Sequence, residues 1–317
     1  MRKLESLATD QDLRHCHLCG NQDFDKLYPL GGMAVLQCKA CGLVFSDLSP
    51  AWGTLEAMYD ASYYQERHKY YFENIVMDPS ITREDTNIGD FRKALDLITE
   101  YKQAGKLLDV GCALGIFLSM ACRRGWDAYG IDISEYAASY ARNVMGLKVA
   151  AGTLEEVGYP EKSFDVITLL DVLEHFAEPS RQLKEVRRIL KDDGIVLLNT
   201  PNQDGLLRIM AHGLYRFSGG IVAYPLRKLY HCFHLYYYTP RTLRALLEKN
   251  GFRIEQLRKN SIPSVKARGR TVERVIVKAL SLPERICGRE YELIAIARKN
   301  RGHSGRRNAE WSMSRWE

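Results

Sequence analysis

The sequence predicts an α/β fold, a doubly wound sheet carrying a small N-terminal cysteine module, and three observations support it. Apolar runs of strand length alternate with helical patterns between residues 106 and 200, the order that βαβ units require. Acids and glycines gather at the carboxyl ends of those runs, where open α/β sheets hold their ligands. Near the N-terminus, Cys16/Cys19 and Cys38/Cys41 form two C-x2-C pairs separated by 18 residues.

The cysteine pairs come first in the chain. Thiolates two residues apart sit on a tight knuckle, and Gly20 and Gly42, each directly after a second cysteine, let backbone amides turn toward the sulfurs. Four thiolates give a closed tetrahedral site, so Cys16, Cys19, Cys38 and Cys41 are assigned to structural Zn2+, with a two-disulfide staple as the alternative. His15 and His17 flank the first knuckle as bystanders. Residues 1–47 are taken as this zinc-binding module. Residues 48–90 follow as a linker or lid, with Tyr59, Tyr63, Tyr64, Tyr70, Tyr71 and Phe72 set among acids and serines.

Phe91, Leu95 and Ile98 then mark one face of a helix before a strand at 106–110. A helix at 115–124 stops at Gly125, a strand covers 128–131, and Ser134 caps a helix reaching Met145. Strands follow at 148–150 and 164–170. The next helix turns Leu183, Val186 and Leu190 inward and is capped by Gly194, and a strand at 195–200 leads into Pro201-Asn202. Residues 91–202 are thus a nucleotide-binding type of core. Residues 203–233 read as a basic apolar insertion covering an acceptor cleft or touching a membrane. Helical periodicity resumes at Thr239 and ends at Gly251, with a strand expected at 252–257, an amphipathic stretch around Val272, Val275, Ile276 and Ala279, and a final edge strand at 292–297. Residues 234–299 complete the main domain, and 300–317 are expected to be a disordered tail.

The stretch Leu107-Leu-Asp-Val-Gly-Cys-Ala-Leu-Gly115 carries the chemistry. An apolar strand meets Asp109, and glycines then free the backbone to turn sharply toward a ligand. A second strand ends in Asp132, 21 residues after Gly111, where a carboxylate can accept both hydroxyls of a ribose. A dinucleotide loop is the competing reading, but it wants G-x-G-x-x-G, whereas the spacing here is Gly111-x-Ala113-x-Gly115. Asp109 discriminates further: a carboxylate at the loop mouth repels pyrophosphate and holds an ammonium group.

At these residues the chain resembles the class I S-adenosylmethionine-dependent methyltransferases. It is most similar to the branch with ubiquinone-biosynthesis-type O-methyltransferases and methyltransferases of sugar and cell-surface polysaccharide pathways, several with an N-terminal four-cysteine zinc module. The resemblance is specific over residues 105–202 and looser over 14–47 and 231–257. It implies a seven-stranded Rossmann-like sheet with S-adenosyl-L-methionine as cofactor. Asp109, Gly111, Ala113 and Gly115 would contact its methionine part, Asp132 with Ile133 its ribose, and Thr153 and Leu154 its adenine. The motif after the fourth core strand appears as Asp171-Val-Leu-Glu174-His175, with Asp171 among the cofactor-binding residues, and that after the fifth as Thr200-Pro201-Asn202. Two departures stand out: Ala113 replaces the middle glycine, and Thr153, with Glu155 and Glu156 nearby, stands where many relatives place an acid for the adenine.

Methyl transfer to a hydroxyl needs alignment and a proton acceptor. His175 is the candidate general base, oriented by Glu174, because an imidazole titrates near neutrality; shaping the cofactor pocket is the alternative role for the pair. A divalent metal at Asp171, Glu174 and His175 is a further reading. O-methylation of a small-molecule, sugar or lipid-linked acceptor is the expected reaction, with C- or N-methylation of a sugar or nucleotide-linked sugar, or an RNA- or DNA-interacting zinc-containing methyltransferase, as the alternatives.

Composition limits the partners. Residues 1–204 hold 22 Lys+Arg against 31 Asp+Glu, net −9, and residues 205–317 hold 23 against 8, net +15. No acid occurs between Asp204 and Glu248, whereas Arg208, Arg216, Arg227, Lys228, Arg241 and Arg244 do. Such a stretch attracts anions, including an anionic membrane surface, or is an ordinary solvated face. Nucleic acid is not the expected partner, since residues 14–47 balance Arg14, Lys26 and Lys39 against Asp23, Asp25 and Asp47. No apolar window approaches the roughly 20 residues of a membrane span, and the N-terminus is polar and acidic, so a cytoplasmic location is expected, with peripheral membrane contact through the basic half.

Overall fold

Residues 15–30, 33–48, 62–63, 86–230, 234–261 and 271–300 are described in the computed structural model. Their strands, in chain order, are β1 (Phe24–Pro29), β2 (Met33–Cys38), β3 (Val44–Leu48), β4 (Lys106–Val110), β5 (Asp127–Asp132), β6 (Lys148–Ala151), β7 (Phe164–Leu170), β8 (Leu190–Pro201), β9 (Tyr236–Tyr237), β10 (Phe252–Asn260) and β11 (Glu292–Lys299). The helices are α1 (Thr86–Thr99), α2 (Ile116–Arg123), α3 (Glu135–Asn143), α4 (Leu154–Val157), α5 (Pro179–Ile189), α6 (Leu206–Phe217), α7 (Tyr224–Leu229), α8 (Pro240–Lys249) and α9 (Thr271–Ile286).

The large sheet has seven strands in the order β10-β11-β8-β7-β4-β5-β6. Alternation along its central strands divides the core in two, because successive side chains leave opposite faces. Leu108, Val110, Ile167, Leu169, Val196 and Leu198 pack on one side with Leu183, Val186 and Ile189 of α5. Leu107, Val166, Ile195 and Leu197 pack on the other with Leu95 and Ile98 of α1 and Phe117 and Leu118 of α2. Burial on both faces explains why β7 reads as a nearly unbroken apolar run.

Three features differ from the sequence reading. The last strand, β11, is not an edge: it lies between β10 and β8 and is antiparallel to both, so the doubly wound sheet is mixed. Leu293, Ala295, Ile296 and Ala297 are accordingly fully buried, as an interior strand requires. Leu190 and Gly194 both belong to β8, because α5 ends at Ile189. Gly194 serves close approach instead of capping, since a Cβ there would stand 2.8 Å from Leu190 Cδ1 and 3.0 Å from the Asp165 carbonyl. The helix after Ser134 stops at Asn143, two residues short of the expected Met145.

A second, antiparallel sheet has the order β1-β2-β3-β9. Three of its strands follow the first cysteine knuckle, and the fourth comes from beyond the core, pairing Val44 with Tyr237 and Phe45 with Tyr236. One face of this sheet is covered by the 203–233 region: Ala211 of α6, Leu226 and Leu229 of α7, and Tyr230 pack with Tyr28, Val35, Val44 and Tyr237. On the other side Cys16, Cys38, Cys41, Leu43 and Phe45 join the main core beside Leu243 and Leu246 of α8. Lys249, at the end of α8, donates to the carbonyls of His17 and Leu18 at 3.1 and 2.8 Å. The expected lid residues Tyr59, Tyr64, Tyr70, Tyr71 and Phe72, and the tail from 301 onward, lie outside the described residues.

Candidate active site

The strand β4 delivers Asp109 to the sheet's carboxyl edge, and the chain turns there without room for larger residues. Gly111 has φ +72, and a Cβ on it would stand 2.5 Å from Val172 Cγ2. The loop after β4 therefore touches the loop after β7. Ala113 adopts φ 48, a left-handed conformation that an alanine occupies at a cost of roughly 1–2 kcal/mol. Its amide is held by the Asp132 Oδ2 at 2.8 Å, and Ser134 N donates to the other oxygen at 2.9 Å. Asp132 thus ties the glycine loop to β5 while each oxygen keeps a second lone pair for a ligand hydroxyl. Gly115, at φ +85, starts α2 with Leu147 Cδ1 2.5 Å from where its Cβ would be.

Asp109 is buried, and its Oδ1 accepts from Thr168 Oγ1 at 2.6 Å. Burial pushes its carboxyl up to about 7, the Thr168 hydrogen bond pulls it down, and the neighbouring Asp132 charge adds to the rise. Asp132 is raised as well, by burial, against the pull of the Ser134 and Ala113 amides. Two carboxylates in one apolar pocket favour a cationic ligand between them.

At the expected adenine position, Thr153 is the N-cap of α4 and shares a reciprocal capping box with Glu156. Glu155 is engaged by Gln182 Nε2 at 3.0 Å and by Arg181. Leu154 is buried in the core, and Ile133 is half-buried at the end of β5. Both acids near the expected adenine position are therefore committed to protein partners. Tyr63, like Ala113, Tyr136 and Tyr140, packs against the cluster of Leu114 and Ala137 beside the glycine loop.

Beyond β7 the backbone is again unusual. Asp171 has φ 54, and its amide donates to Asn199 Oδ1 at 2.7 Å. A single 3-10 turn, Leu173–His175, follows. Glu174 is fully buried, and its carbonyl accepts from Leu235 N at 2.8 Å. That bond brings His234 to the motif. The His175 and His234 rings stand edge to face, centroids 4.8 Å apart. Glu174, His175 and His234 each offer a ligand atom, all within 4.8 Å of one another, a donor set suited to a divalent cation. His234 takes the place that the sequence reading gave to Asp171.

A family model described as a methyltransferase domain matches residues 83–257, more than half of the chain, including every residue of this site. The chain belongs to the methyltransferase domain family. Within it, the glycine loop from Asp109 to Gly115 is the class I S-adenosylmethionine-type loop that the sequence resembles. Curated relatives include the ubiquinone biosynthesis O-methyltransferases of Acinetobacter baumannii (strain AYE) and Alkalilimnicola ehrlichii. The first is 31% identical over 106 residues, 31% of this chain and 45% of that protein. The second is 33% identical over 105 residues, 31% of this chain and 42% of that protein. The matched part thus spans less than half the length of these relatives. Similar solved structures include a SAM-dependent methyltransferase from Archaeoglobus fulgidus, with TM-score 0.48 and 18% identity, covering 73% of this chain and 100% of that one. Another is the magnesium protoporphyrin IX methyltransferase of Synechocystis PCC 6803, with TM-score 0.48 and 18% identity, covering 74% and 96%.

The four methyltransferase cysteines converge. Cys16, Cys19, Cys38 and Cys41 place their sulfurs within 4.8 Å of one another. Cys16 and Cys41 are 3.5 Å apart, as are Cys19 and Cys38, so contacts run between the knuckles. A tetrahedron with Zn–S bonds of about 2.3 Å has edges of roughly 3.8 Å, near these separations, whereas a disulfide needs about 2.05 Å. Asn21 Nδ2 and Leu43 N point at sulfurs from 3.6 and 3.5 Å, the outer hydrogen bonds that thiolate ligands use.

Two residues at the site escaped the sequence reading. His234 lies 59 positions from His175, and nothing in its local pattern marks it. Arg208 was noted only as one cation of the acid-free stretch, yet it is 2% exposed.

Proposed function

We propose that this protein is a class I S-adenosylmethionine-dependent methyltransferase that methylates a hydroxyl of a small-molecule, sugar or lipid-linked acceptor. The observation that carries this is the junction at Gly111 and Val172, where the Asp109–Gly115 loop meets the segment holding Glu174 and His175. The named O-methyltransferase relatives support the choice of oxygen.

The residues present fit the cofactor: buried carboxylates for its ammonium and ribose, and a turn that a side chain would fill. Asp109 would hold the cationic amino-acid end and Asp132 the ribose hydroxyls, with Gly111, Ala113 and Gly115 giving the backbone room to approach. S-adenosylmethionine, when bound, supplies an electrophilic methyl on a sulfonium sulfur. His175 would accept the proton of the acceptor hydroxyl and so raise the nucleophilicity of that oxygen. Glu174 and the neighbouring His234 hold the imidazole in place. Cys16, Cys19, Cys38 and Cys41 would hold Zn2+ as a closed set of four thiolates, giving the ion a structural task.

A second reading has its own observation, the convergence of Glu174, His175 and His234. A divalent cation there would bind the acceptor oxygen and lower its proton affinity, making His175 a ligand instead of a base.

A labelled-methyl transfer assay over acceptor classes tests both readings. His175→Ala should bind S-adenosylhomocysteine normally and lose about 100-fold or more in turnover. Wild-type turnover in that variant rules out both roles. Activity that disappears on removal of free divalent ions and returns with Mg2+ or Mn2+ selects the metal, and indifference to them selects the base.

A further inference from the structure

Arg208 is the most unusual charged group among the described residues. It enters on the first turn of α6, six residues after Asn202 at the carboxyl end of β8. Its side chain is 2% exposed, and Nε, Nη1 and Nη2 all lack a hydrogen-bond partner. A guanidinium carries five N–H donors in a planar fork and cannot shed its charge. Taking that group out of water without an oxygen to receive it is costly. Cations that lie closer to solvent do find partners: Lys249 reaches two carbonyls, and the half-buried Lys299 pairs with Asp192.

The surroundings stabilise the cation without satisfying it. The guanidinium carbon stands 4.8 Å from the Tyr230 ring centroid and 4.9 Å from that of Tyr237, and those centroids are 4.7 Å apart. An aromatic corner of this kind favours a positive charge over its faces but takes none of the in-plane N–H groups. Gln203 Nε2 donates to Tyr230 Oη at 2.7 Å, leaving its buried Oε1 without a partner too. Tyr28 Oη is bound to His212 Nδ1 at 2.6 Å, closing the far wall. No carboxylate among the described residues pairs with Arg208, which the acid-free run from 205 to 247 makes understandable.

The pocket adjoins the catalytic motif. The Tyr237 ring that faces Arg208 is 6.0 Å from the His234 ring, which is 4.8 Å from that of His175. A chain of two rings, Tyr237 and His234, therefore connects the guanidinium to the proposed base.

We propose that Arg208 is the anchor for an oxyanion, a carboxylate or phosphoryl group, carried by the methyl acceptor. The anion takes the in-plane fork while Tyr230 and Tyr237 cover the guanidinium, and the acceptor's hydroxyl end reaches toward His175. The neutral core of a sugar or aromatic acceptor would lie along Tyr237 and His234. This rests on the methyltransferase reading only for the role of the ligand; the anion site itself is a separate claim about Arg208.

The full-length protein, loaded with S-adenosylhomocysteine, should be titrated calorimetrically with benzoate, phenyl phosphate and the uncharged analogue benzamide. The expected result is binding of at least one of the two anions and none of benzamide at the same concentrations. A preference for benzoate assigns a carboxylate acceptor, and a preference for phenyl phosphate a phosphorylated one. Arg208→Met should weaken the bound anion about 30-fold or more, and Arg208→Lys, which keeps charge but loses the fork, about tenfold. S-adenosylhomocysteine affinity should stay within about twofold in both variants, which shows that they fold. Anion binding unchanged in Arg208→Met, equal binding of benzamide, or no binding of either anion to the loaded wild type overturns the anchor. Failure to bind S-adenosylhomocysteine at all would instead strike the methyltransferase reading. If Arg208→Met loses S-adenosylhomocysteine as well, Arg208→Lys decides: anion binding equal to wild type in that variant also overturns the anchor.

Discussion

Asp109 is the residue at which burial and function pull against each other. A carboxyl sealed under the sheet edge and pushed up to about 7 is partly protonated at neutral pH in the empty protein. An ammonium group arriving beside it favours the charged form, so cofactor binding and deprotonation are linked. S-adenosylmethionine affinity should therefore fall as pH drops from 8 to 6, approaching tenfold per pH unit below about 7. Asp109→Asn should flatten this dependence and weaken binding by about 10- to 100-fold at pH 8. Stability follows the opposite course in the empty protein. The folded carboxyl is raised above its unfolded value, so its contribution is full below about 4 and is lost as pH rises through about 7. The thermal shift produced by the cofactor should accordingly be larger at pH 8 than at pH 6. Calorimetry and melting curves at the two pH values check both signs, and a pH-independent affinity in the wild type would show that Asp109 does not meet the ammonium.

Strand β9 is two residues long, yet it links the cysteine knuckles to the acceptor side. Tyr236 faces the knuckles, its ring 5.5 Å from His17, while Tyr237 faces Arg208 and His234. On the proposed function, the four-stranded sheet makes one wall of the acceptor site, and zinc on the cysteine cluster would hold that sheet together. Extracting zinc, or replacing Cys38 with serine, should cut methyl transfer about tenfold or more while S-adenosylhomocysteine affinity changes little, because the residues proposed to hold it follow β4, β5 and β6. Parallel loss of both, or loss of neither, would contradict this division. The same division governs what the sequence could disclose. Asp109, the glycines and Asp132 were legible because strand, turn and helix follow one another locally, and each residue type is demanded by the turn or the ligand. His234 and Arg208 were not, since His234 meets the motif through the backbone bond between Leu235 and Glu174, and Arg208 meets Tyr237 from a helix far away in sequence, so neither carries a local pattern. Gly194 imitated a helix cap because a glycine after an amphipathic helix usually is one. Strand β11 was taken for an edge from its place near the end of the chain, although its run of buried residues already fitted an interior strand.

Over the whole molecule, charge and exposed apolar surface fall on the same part. The net +15 lies after residue 204, and there Met210, Leu214, Phe217 and Ile221 are exposed at the spacing of one helical face continued into the next turn. Helix α9 touches α6 and exposes Val275, Leu282 and Ile286. Phe217 at 94% and Ile221 at 85% exposure are hard to reconcile with a surface meant only for water, and Arg216, Arg227 and Lys228 flank them. No described helix is long and apolar enough to cross a membrane. The arrangement fits the proposal that this face rests on an anionic lipid surface, with apolar side chains entering the headgroup boundary and basic ones meeting phosphates. A lipid-linked acceptor would then reach the Arg208 pocket from the side of α6. Sedimentation with phosphatidylserine vesicles at low salt should pellet the protein, phosphatidylcholine vesicles should not, and salt near 0.5 M should release it as the Debye length shrinks to about 4 Å. Each of Phe217 and Ile221 contributes on the order of 1.5–3 kcal/mol if its side chain leaves water fully. Phe217→Ser with Ile221→Ser should thus weaken vesicle binding about tenfold or more and leave S-adenosylhomocysteine affinity intact. Equal pelleting with neutral vesicles, or none with anionic vesicles at low salt, would remove the membrane from the account and leave the basic half to the acceptor alone.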